Sequence, residues 1–296
     1  MPQPPVHTEF IEANGLRFEV LTCGTGPRLA LCLHGFPEVA DSWRQQMPAL
    51  APLGYRVWAP NQRGYGKTSR PPHVSDYAIE HLMADVAALI DASGAPEVVL
   101  IAHDWGALVA WTFATRRIRP LRALAILNVP HPVCFARELR RNPGQMLRSW
   151  YMLFFQIPWL PEWLLSRRGG APVRQMMLRS STSPATFPRD LLDLCAANAA
   201  QPGAARAMIH WYRAFLRGGF RRQLRLGFPP ITVPVLLIWG MADVALSYAT
   251  THGTEEFAPN LTRVDLAGVS HWVQQDATAA CNSALAQFLA DPEPAT

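Results

Sequence analysis

One sharp turn, at residues 102–106, constrains the fold of this chain more than any other stretch. It follows an apolar run at 97–101 that is typical of a buried strand, and it leads into a helix-like run at 107–111. Small residues stand two positions before and two positions after Asp104. They permit a tight strand-to-helix turn that holds the central side chain in the open. The pattern favours an α/β architecture with Asp104 at the carboxyl end of a strand.

Asp104 has two possible roles at this turn. An Asp after a strand commonly caps the helix that follows it. Alternatively, the side chain held at such a turn is a nucleophile: the usual Ser attacks acyl groups, whereas a carboxylate can attack saturated carbon. We favour the nucleophile, because the rest of the chain supplies the partners that it needs.

The other predicted elements extend the architecture in chain order. Strands at 8–13 and 16–23, joined at Asn14-Gly15, indicate an antiparallel hairpin. Further strands are predicted at 29–33, 55–59, 121–127, 233–239 and 261–266, and helices at 42–53, 77–93 and 279–289. The alternation predicts a mostly parallel sheet flanked by helices.

The alternation stops after residue 132. From about residue 134 to 226 the sequence is helix-like, rich in arginine and aromatic residues, and without a convincing strand. Open α/β sheets bind ligands at the carboxyl ends of their strands, so this insertion is expected to cover Asp104. We therefore predict a core formed by residues 1–132 and 229–296, with an all-helical lid at 133–228.

Loops after other strands carry further candidate residues. Gly35 and Pro37 can direct the backbone N–H of Phe36 into a site, and Pro37 is a candidate for a cis peptide bond. Asp243 and His271 follow the last two predicted strands. Each alone is an ordinary loop residue, but the order nucleophile, acid, histidine is that of hydrolytic triads on this type of sheet.

Several function classes are disfavoured by composition. The net charge is +5, but the arginines are scattered without a nucleic-acid-binding module. The glycines at 60–69 lack P-loop spacing, which favours a structural loop over a phosphate site. Five cysteines without a CxxC pair indicate neither disulfides nor zinc and fit a reducing cytoplasm.

Membrane and export signals are also not apparent. No apolar run reaches the roughly 18 residues that span a bilayer. The first five residues lack the pattern of a signal peptide. We expect a cytoplasmic protein without a nucleic-acid or membrane partner.

Taken together, the motifs resemble the α/β-hydrolase superfamily over nearly the whole chain, and within it the epoxide hydrolases. The core motifs are His34-Gly35-Phe36-Pro37, Ala102-His103-Asp104-Trp105-Gly106, Gly240 to Asp243 and Gly268 to His271. They are typical of members with an Asp nucleophile, but they do not separate epoxide hydrolases from haloalkane or fluoroacetate dehalogenases. A catalytically silent receptor on the same scaffold is a further alternative.

Two lid segments favour the epoxide hydrolases. Residues 149–156 and 210–213 are similar to the segments in which that family carries two ring-opening tyrosines. The resemblance implies these roles for Tyr151 and Tyr212, whereas in isolation their aromatic rings would be read as lid packing. His210 departs from the polar residue more usual in the family.

The resemblance implies a complete reaction. Asp104 would form an ester with the opened epoxide while Tyr151 and Tyr212 donate protons to the epoxide oxygen. His271, oriented by Asp243, would then activate water.

The same resemblance implies an oxyanion hole, a substrate pocket and the binding partners. The backbone N–H groups of Phe36 and Trp105 would form the oxyanion hole. These two side chains and the two tyrosines would line the substrate pocket, and in a dehalogenase Trp105 would help hold the halide. No metal or organic cofactor is implied. The partners are a small epoxide and water, in a monomer or homodimer.

Overall fold

An eight-stranded sheet forms the centre of the molecule, which is described by a computed structural model over residues 4–290. The strand order is β1-β2-β4-β3-β5-β6-β7-β8. The strands are β1 (Val6–Ala13), β2 (Leu16–Cys23), β3 (Arg28–Leu33), β4 (Tyr55–Pro60), β5 (Val98–His103), β6 (Ala123–Leu127), β7 (Val235–Gly240) and β8 (Leu261–Leu266). β1 and β2 pair antiparallel, as does β2 with β4, and the remaining pairs are parallel. The predicted hairpin and mostly parallel sheet are confirmed.

Helices cover both faces of the sheet. They are α1 (Met47–Leu50), α2 (Ile79–Ser93), α3 (Asp104–Arg116), α4 (Pro132–Arg141), α5 (Pro143–Arg148), α6 (Trp150–Phe154), α7 (Leu160–Ser180), α8 (Arg189–Ala200), α9 (Ala204–Ala214), α10 (Phe220–Leu226), α11 (Val273–Asp276) and α12 (Thr278–Ala290). α7 is interrupted by non-helical backbone at residues 167–170. The predictions for residues 1–3 and 291–296 lie outside the described residues.

The central strands are apolar throughout because both of their faces are buried. Along β3, Leu29, Leu31 and Leu33 join the core on one face of the sheet. Ala30 and Cys32 alternate with them and join the core on the other face. Continuous apolar runs are therefore the expected signature of these strands.

The helix predicted at 42–53 is wrong. The chain forms a 3₁₀ turn at Ala40–Trp43, the single turn α1, and another 3₁₀ turn at Ala51–Leu53. Pro48 and Pro52 explain the difference, because proline has no N–H to donate and its ring clashes with the preceding turn. The strand predicted from residue 121 begins at Ala123, and α2 begins at Ile79 rather than Tyr77.

Helices α4 to α10 occupy the chain between β6 and β7. Residues 133–228, called the helical insertion below, contain no strand, as predicted. Within the described residues 4–290, every helix is too short or too polar to cross a membrane.

Candidate active site

The turn between β5 and α3 forms as predicted, with Asp104 in a strained conformation. Its φ angle is +48°, in the left-handed region that a residue with a side chain rarely adopts. The neighbouring chain is packed closely against it. A Cβ atom on Gly106 would clash with the backbone carbonyl of Leu33, and one on Gly35 would clash with the side chain of Asp104. Only glycine at these two positions permits these close approaches.

The Asp104 side chain points away from a capping position. Its Oδ1 accepts a hydrogen bond of 2.6 Å from the backbone N–H of Phe36, and no side chain caps the start of α3. The helix-capping alternative is therefore wrong. Phe36 is followed by a cis peptide bond to Pro37. The N–H of Trp105, the second residue of α3, belongs to the first turn, where backbone donors have no partner within the helix.

The three residues of the predicted triad meet at the carboxyl ends of β5, β7 and β8. His271 Nδ1 lies 2.6 Å from Asp243 Oδ2. His271 Nε2 lies 3.6 Å from Asp104 Oδ2. Residues separated by up to 167 positions in the chain thus form one row of carboxylate, imidazole and carboxylate.

The two tyrosines singled out in the helical insertion also reach this point. Tyr151 lies on α6 and Tyr212 on α9, and their rings are 5.9 Å apart at nearly a right angle. The edge-to-face contacts of Tyr212 with Trp105, at 4.8 Å, and with Phe36, at 5.3 Å, tie it to the sheet side of the site. The four predicted pocket residues are therefore neighbours.

Two cavities meet at Asp104. One contains about 530 Å³ of empty space, part of it open to solvent, and is bordered mainly by apolar side chains, among them Trp105. The other contains about 850 Å³ of empty space, also partly open to solvent, and includes Phe36 and His271 in its wall. Asp104, Tyr151 and Tyr212 border both cavities. A ligand at Asp104 can therefore extend in two directions.

Comparison with known proteins identifies the family. Residues 31–278 match the model of the α/β-hydrolase fold family. The chain is 34% identical to AB hydrolase superfamily protein YfhM of Bacillus subtilis, over 96% of this chain and 98% of that protein. It is 34% identical to epoxide hydrolase 4 of Homo sapiens, over 94% of this chain and 77% of that protein. A crystal structure of Bacillus megaterium epoxide hydrolase with an inhibitor superimposes with a TM-score of 0.88 at 29% identity, covering 96% of this chain and 100% of that one. The chain belongs to the epoxide hydrolase family of α/β hydrolases.

In this member of the epoxide hydrolase family, the groups around Asp104 and Asp243 keep both carboxylates ionised. Burial opposes the charge on Asp104, but His271, His103 and the Phe36 N–H outweigh it and lower the pKa of Asp104. Burial likewise opposes the charge on Asp243, and His271 again lowers its pKa. Asp104 is thus an anion at neutral pH.

The imidazole between them is correspondingly basic. Burial opposes protonation of His271, but Asp243 and Asp104 outweigh it and raise its pKa to about 10. The resting site therefore holds a protonated His271 between two carboxylates. Any reaction that removes the charge of Asp104 removes one cause of this high pKa.

The tyrosines stay protonated. Burial, reinforced by the charge of Asp104, raises the pKa of Tyr151. Burial, with Tyr151 and Asp104 nearby, raises the pKa of Tyr212 well above its ordinary value. Both phenols are hydrogen-bond donors over the whole neutral range.

Asn128 supports the acid of the predicted triad, and the sequence analysis missed it. Its Nδ2 donates to Asp243 Oδ2 at 2.8 Å, and its Oδ1 accepts from the N–H of Gly240 at 2.7 Å. The residue is buried and has a φ angle of +49°. A polar residue directly after the apolar strand β6 was the available signal.

A second buried pair lies beneath His271. His103 Nε2 is 3.0 Å from the carbonyl oxygen of His271, and His103 Nδ1 is 2.9 Å from Glu38 Oε2. Gln274 and Gln275 donate to the same Glu38 carboxylate. Glu38 and His103 are 65 positions apart, so the sequence alone gave no signal for their pairing.

Other predicted features lie outside the reacting centre. The glycine loop at 60–69 packs on the core: the Gln62 N–H donates to His34 Nε2, and the Thr68 hydroxyl donates to the Asn61 carbonyl. It is a structural loop, as predicted. Within residues 4–290, no cluster of three or more His, Cys, Asp or Glu side chains is arranged to hold a metal ion.

Proposed function

We propose that this protein hydrolyses epoxides to vicinal diols through an ester on Asp104. The observation that carries the proposal is the setting of the Asp104 carboxylate. One oxygen is bound by the Phe36 N–H, the other faces His271, and two neutral phenols share the adjoining cavities. Membership of the epoxide hydrolase family supports the same reaction.

Ring opening uses the carboxylate and the phenols together. Asp104 Oδ2 attacks an epoxide carbon, the carbon–oxygen bond of the ring breaks, and an ester forms. The epoxide oxygen gains negative charge as its bond breaks. Tyr151 and Tyr212 donate hydrogen bonds to that oxygen, and one phenol gives it a proton. A halide leaving group would need no such proton.

Ester hydrolysis uses His271. Once Asp104 is esterified, its negative charge is lost, and the pKa of His271 falls from its resting value. The phenolate left by ring opening takes the proton of the His271 imidazolium, and the neutral His271 then takes a proton from water. The resulting hydroxide attacks the ester carbonyl, whose oxygen, Oδ1, is held by the N–H groups of Phe36 and Trp105. Asp243 stabilises the imidazolium while the ester carbon–oxygen bond breaks. The departing alkoxide takes the proton of the hydroxyl group added to the Asp104 carboxyl, which releases the diol and restores the carboxylate.

We also propose the domain arrangement, the cellular location, the substrate and the oligomeric state. Residues 133–228 act as a lid over the core at 1–132 and 229–296, since both tyrosines come from the insertion. The buried, free state of all five cysteines supports a cytoplasmic location. The substrate is a small epoxide with water, and the protein is a monomer or homodimer.

Trapping the ester tests the proposal directly. His271→Gln should form the ester and fail to hydrolyse it, so its intact mass should rise by the mass of one styrene oxide. Asp104→Asn should show no increase, and the wild type should release diol. A parallel assay with a chloroalkane and fluoroacetate measures halide. Halide without diol, or an adduct elsewhere than Asp104 in a peptide map, would contradict the proposal.

A further inference from the structure

One face of the helical insertion is apolar and exposed. α5 and α6 are separated only by Ser149, and exposed large side chains recur along them every three or four residues. Leu147 is 73% exposed, Trp150 63% and Leu153 71%. Met146 and Ile157 extend the set, and these five residues are called the apolar face. Exposed apolar surface of this extent on one element commonly marks an interaction site.

The inward side of α5 is polar, unlike that of an ordinary surface helix. Gln145 and Ser149, which follows the helix, are both buried. The Gln145 amide donates to Ser149 Oγ and to the carbonyl of Ala245. An amphipathic surface helix normally turns its apolar side to the core. The inward side of α6 is apolar in this way, but α5 turns Met146 and Leu147 to solvent, so core packing does not explain their exposure.

Positive charge is concentrated in the same part of the chain. Residues 139–189 contain eight arginines and one acidic residue, Glu162. All eight arginines are exposed, although Arg174 is paired with Asp193, and the single acidic residue, Glu162, is paired with Arg213. Since the whole chain has a net charge of +5, the residues outside this stretch are net negative. The partner of the apolar face is therefore anionic, and a second copy would bring like charges together.

The apolar face adjoins the larger active-site cavity. Trp150 belongs to the face and also borders that cavity, together with Arg148 and Asp104. Met176 and Val244, both exposed, border it as well. A molecule bound at the apolar face therefore lies beside the larger cavity, which extends to Asp104.

We infer that the apolar face docks on the surface of an anionic lipid bilayer. Tryptophan and leucine side chains partition into the interfacial region of a bilayer, and the arginines in the neighbouring part of the chain are attracted to anionic headgroups. On the proposed function, an apolar epoxide dissolved in lipid would enter the cavity without crossing water. This inference departs from the expectation of no membrane partner, because spanning and export signals do not report an exposed apolar surface that short helices form.

Vesicle binding tests the docking without reference to catalysis. The full chain is sedimented with phosphatidylcholine vesicles that contain or lack phosphatidylglycerol. We expect binding to the anionic vesicles, weakened by added salt because salt screens exposed charges. Leu147→Ser with Leu153→Ser should abolish binding. Arg140→Gln with Arg141→Gln should weaken it about tenfold or more.

Matched variants control for lost hydrophobicity and charge. Leu226→Ser removes a leucine that is 61% exposed but lies outside the apolar face. Arg221→Gln with Arg225→Gln removes the same charge from α10. Both controls should bind vesicles like the wild type.

Three results would overturn the inference. They are no binding of the wild type to anionic vesicles, unchanged binding of the Leu147 and Leu153 double variant, and a wild-type dimer that this double variant makes monomeric. A chain that binds vesicles but forms no diol from styrene oxide would leave the docking intact and refute the proposed function alone. A chain that forms diol but does not bind vesicles would support the proposed function and refute the docking.

Discussion

At the scale of single residues, the site separates charge from proton donation. Asp104 is held ionised beside a protonated His271, while the phenols of Tyr151 and Tyr212 are held neutral by burial and by the charge of Asp104. The same carboxylate thus serves as the nucleophile and keeps its proton donors protonated. The two functions are consequences of one arrangement.

The proton-donor role predicts a specific defect. Tyr151→Phe with Tyr212→Phe should slow ester formation by about 100-fold or more, because the epoxide oxygen then leaves without a donor. Rapid quench with intact-mass detection in the His271→Gln background measures that step. As a control, Tyr248→Phe removes a phenol that donates a hydrogen bond to Asp265 outside the site. This variant should form the ester at the wild-type rate. Normal ester formation in the double variant would return both tyrosines to packing roles.

At the scale of elements, the strand ends are joined by polar side chains as well as by the sheet. Asn128, after β6, holds both Asp243 and the backbone of Gly240 at the end of β7. These bonds fix the position of the acid relative to His271. The loops therefore depend on each other for their geometry.

Two substitutions of Asn128 distinguish the effect of its hydrogen bonds from the effect of its positive φ angle. Asn128→Ala should lower the free energy of unfolding by about 2 to 3 kcal/mol, because it leaves the buried N–H of Gly240 without a partner and removes one of the donors to the Asp243 carboxylate. Asn128→Gly removes the same bonds but tolerates the positive φ, so it should be more stable than the alanine variant. Both should show the same reduced rate of ester hydrolysis. Urea unfolding and single-turnover kinetics measure the two effects, and a glycine variant with a wild-type rate would refute the role of the bonds.

The elements also show what a single sequence can and cannot predict. The Asp104 turn was predictable because its strand, small residues and helix are contiguous, and local geometry fixes it. The helix predicted at 42–53 is wrong, because the apolar spacing there is helical but Pro48 and Pro52 prevent a continuous helix. The Glu38–His103 pair was not predictable, since it depends on which loops the finished sheet brings together.

At the scale of the whole molecule, charge is unevenly distributed along the chain, and the fold exposes the basic part. Eight arginines fall within residues 139–189, and all of them are exposed. The remainder of the chain is net negative. The helical insertion is thus both the source of the two tyrosines and the most basic part of the molecule.

The buried charges of the site also make global stability depend on pH. The folded pKa of His271, about 10, is above its ordinary value of 6.5, so its contribution to stability is complete below pH 6.5 and is lost as the pH rises toward 10. Between pH 6.5 and 8.5 this loss should be about 2 kcal/mol. The buried thiols and the buried histidines with lowered pKa values also contribute to the slope, but these contributions cancel when the wild type is compared with a variant that changes only His271.

Urea unfolding at several pH values measures this dependence. His271→Gln should be less stable than the wild type at pH 6.5, and the gap should narrow by about 2 kcal/mol at pH 8.5, because glutamine does not titrate. The same substitution at the exposed His252 controls for the loss of a histidine as such. A gap between His271→Gln and the wild type that stays constant over this range would mean that His271 is not held protonated by its two carboxylates. Ring opening would then start from a neutral imidazole, and esterification of Asp104 would not be the event that frees the base.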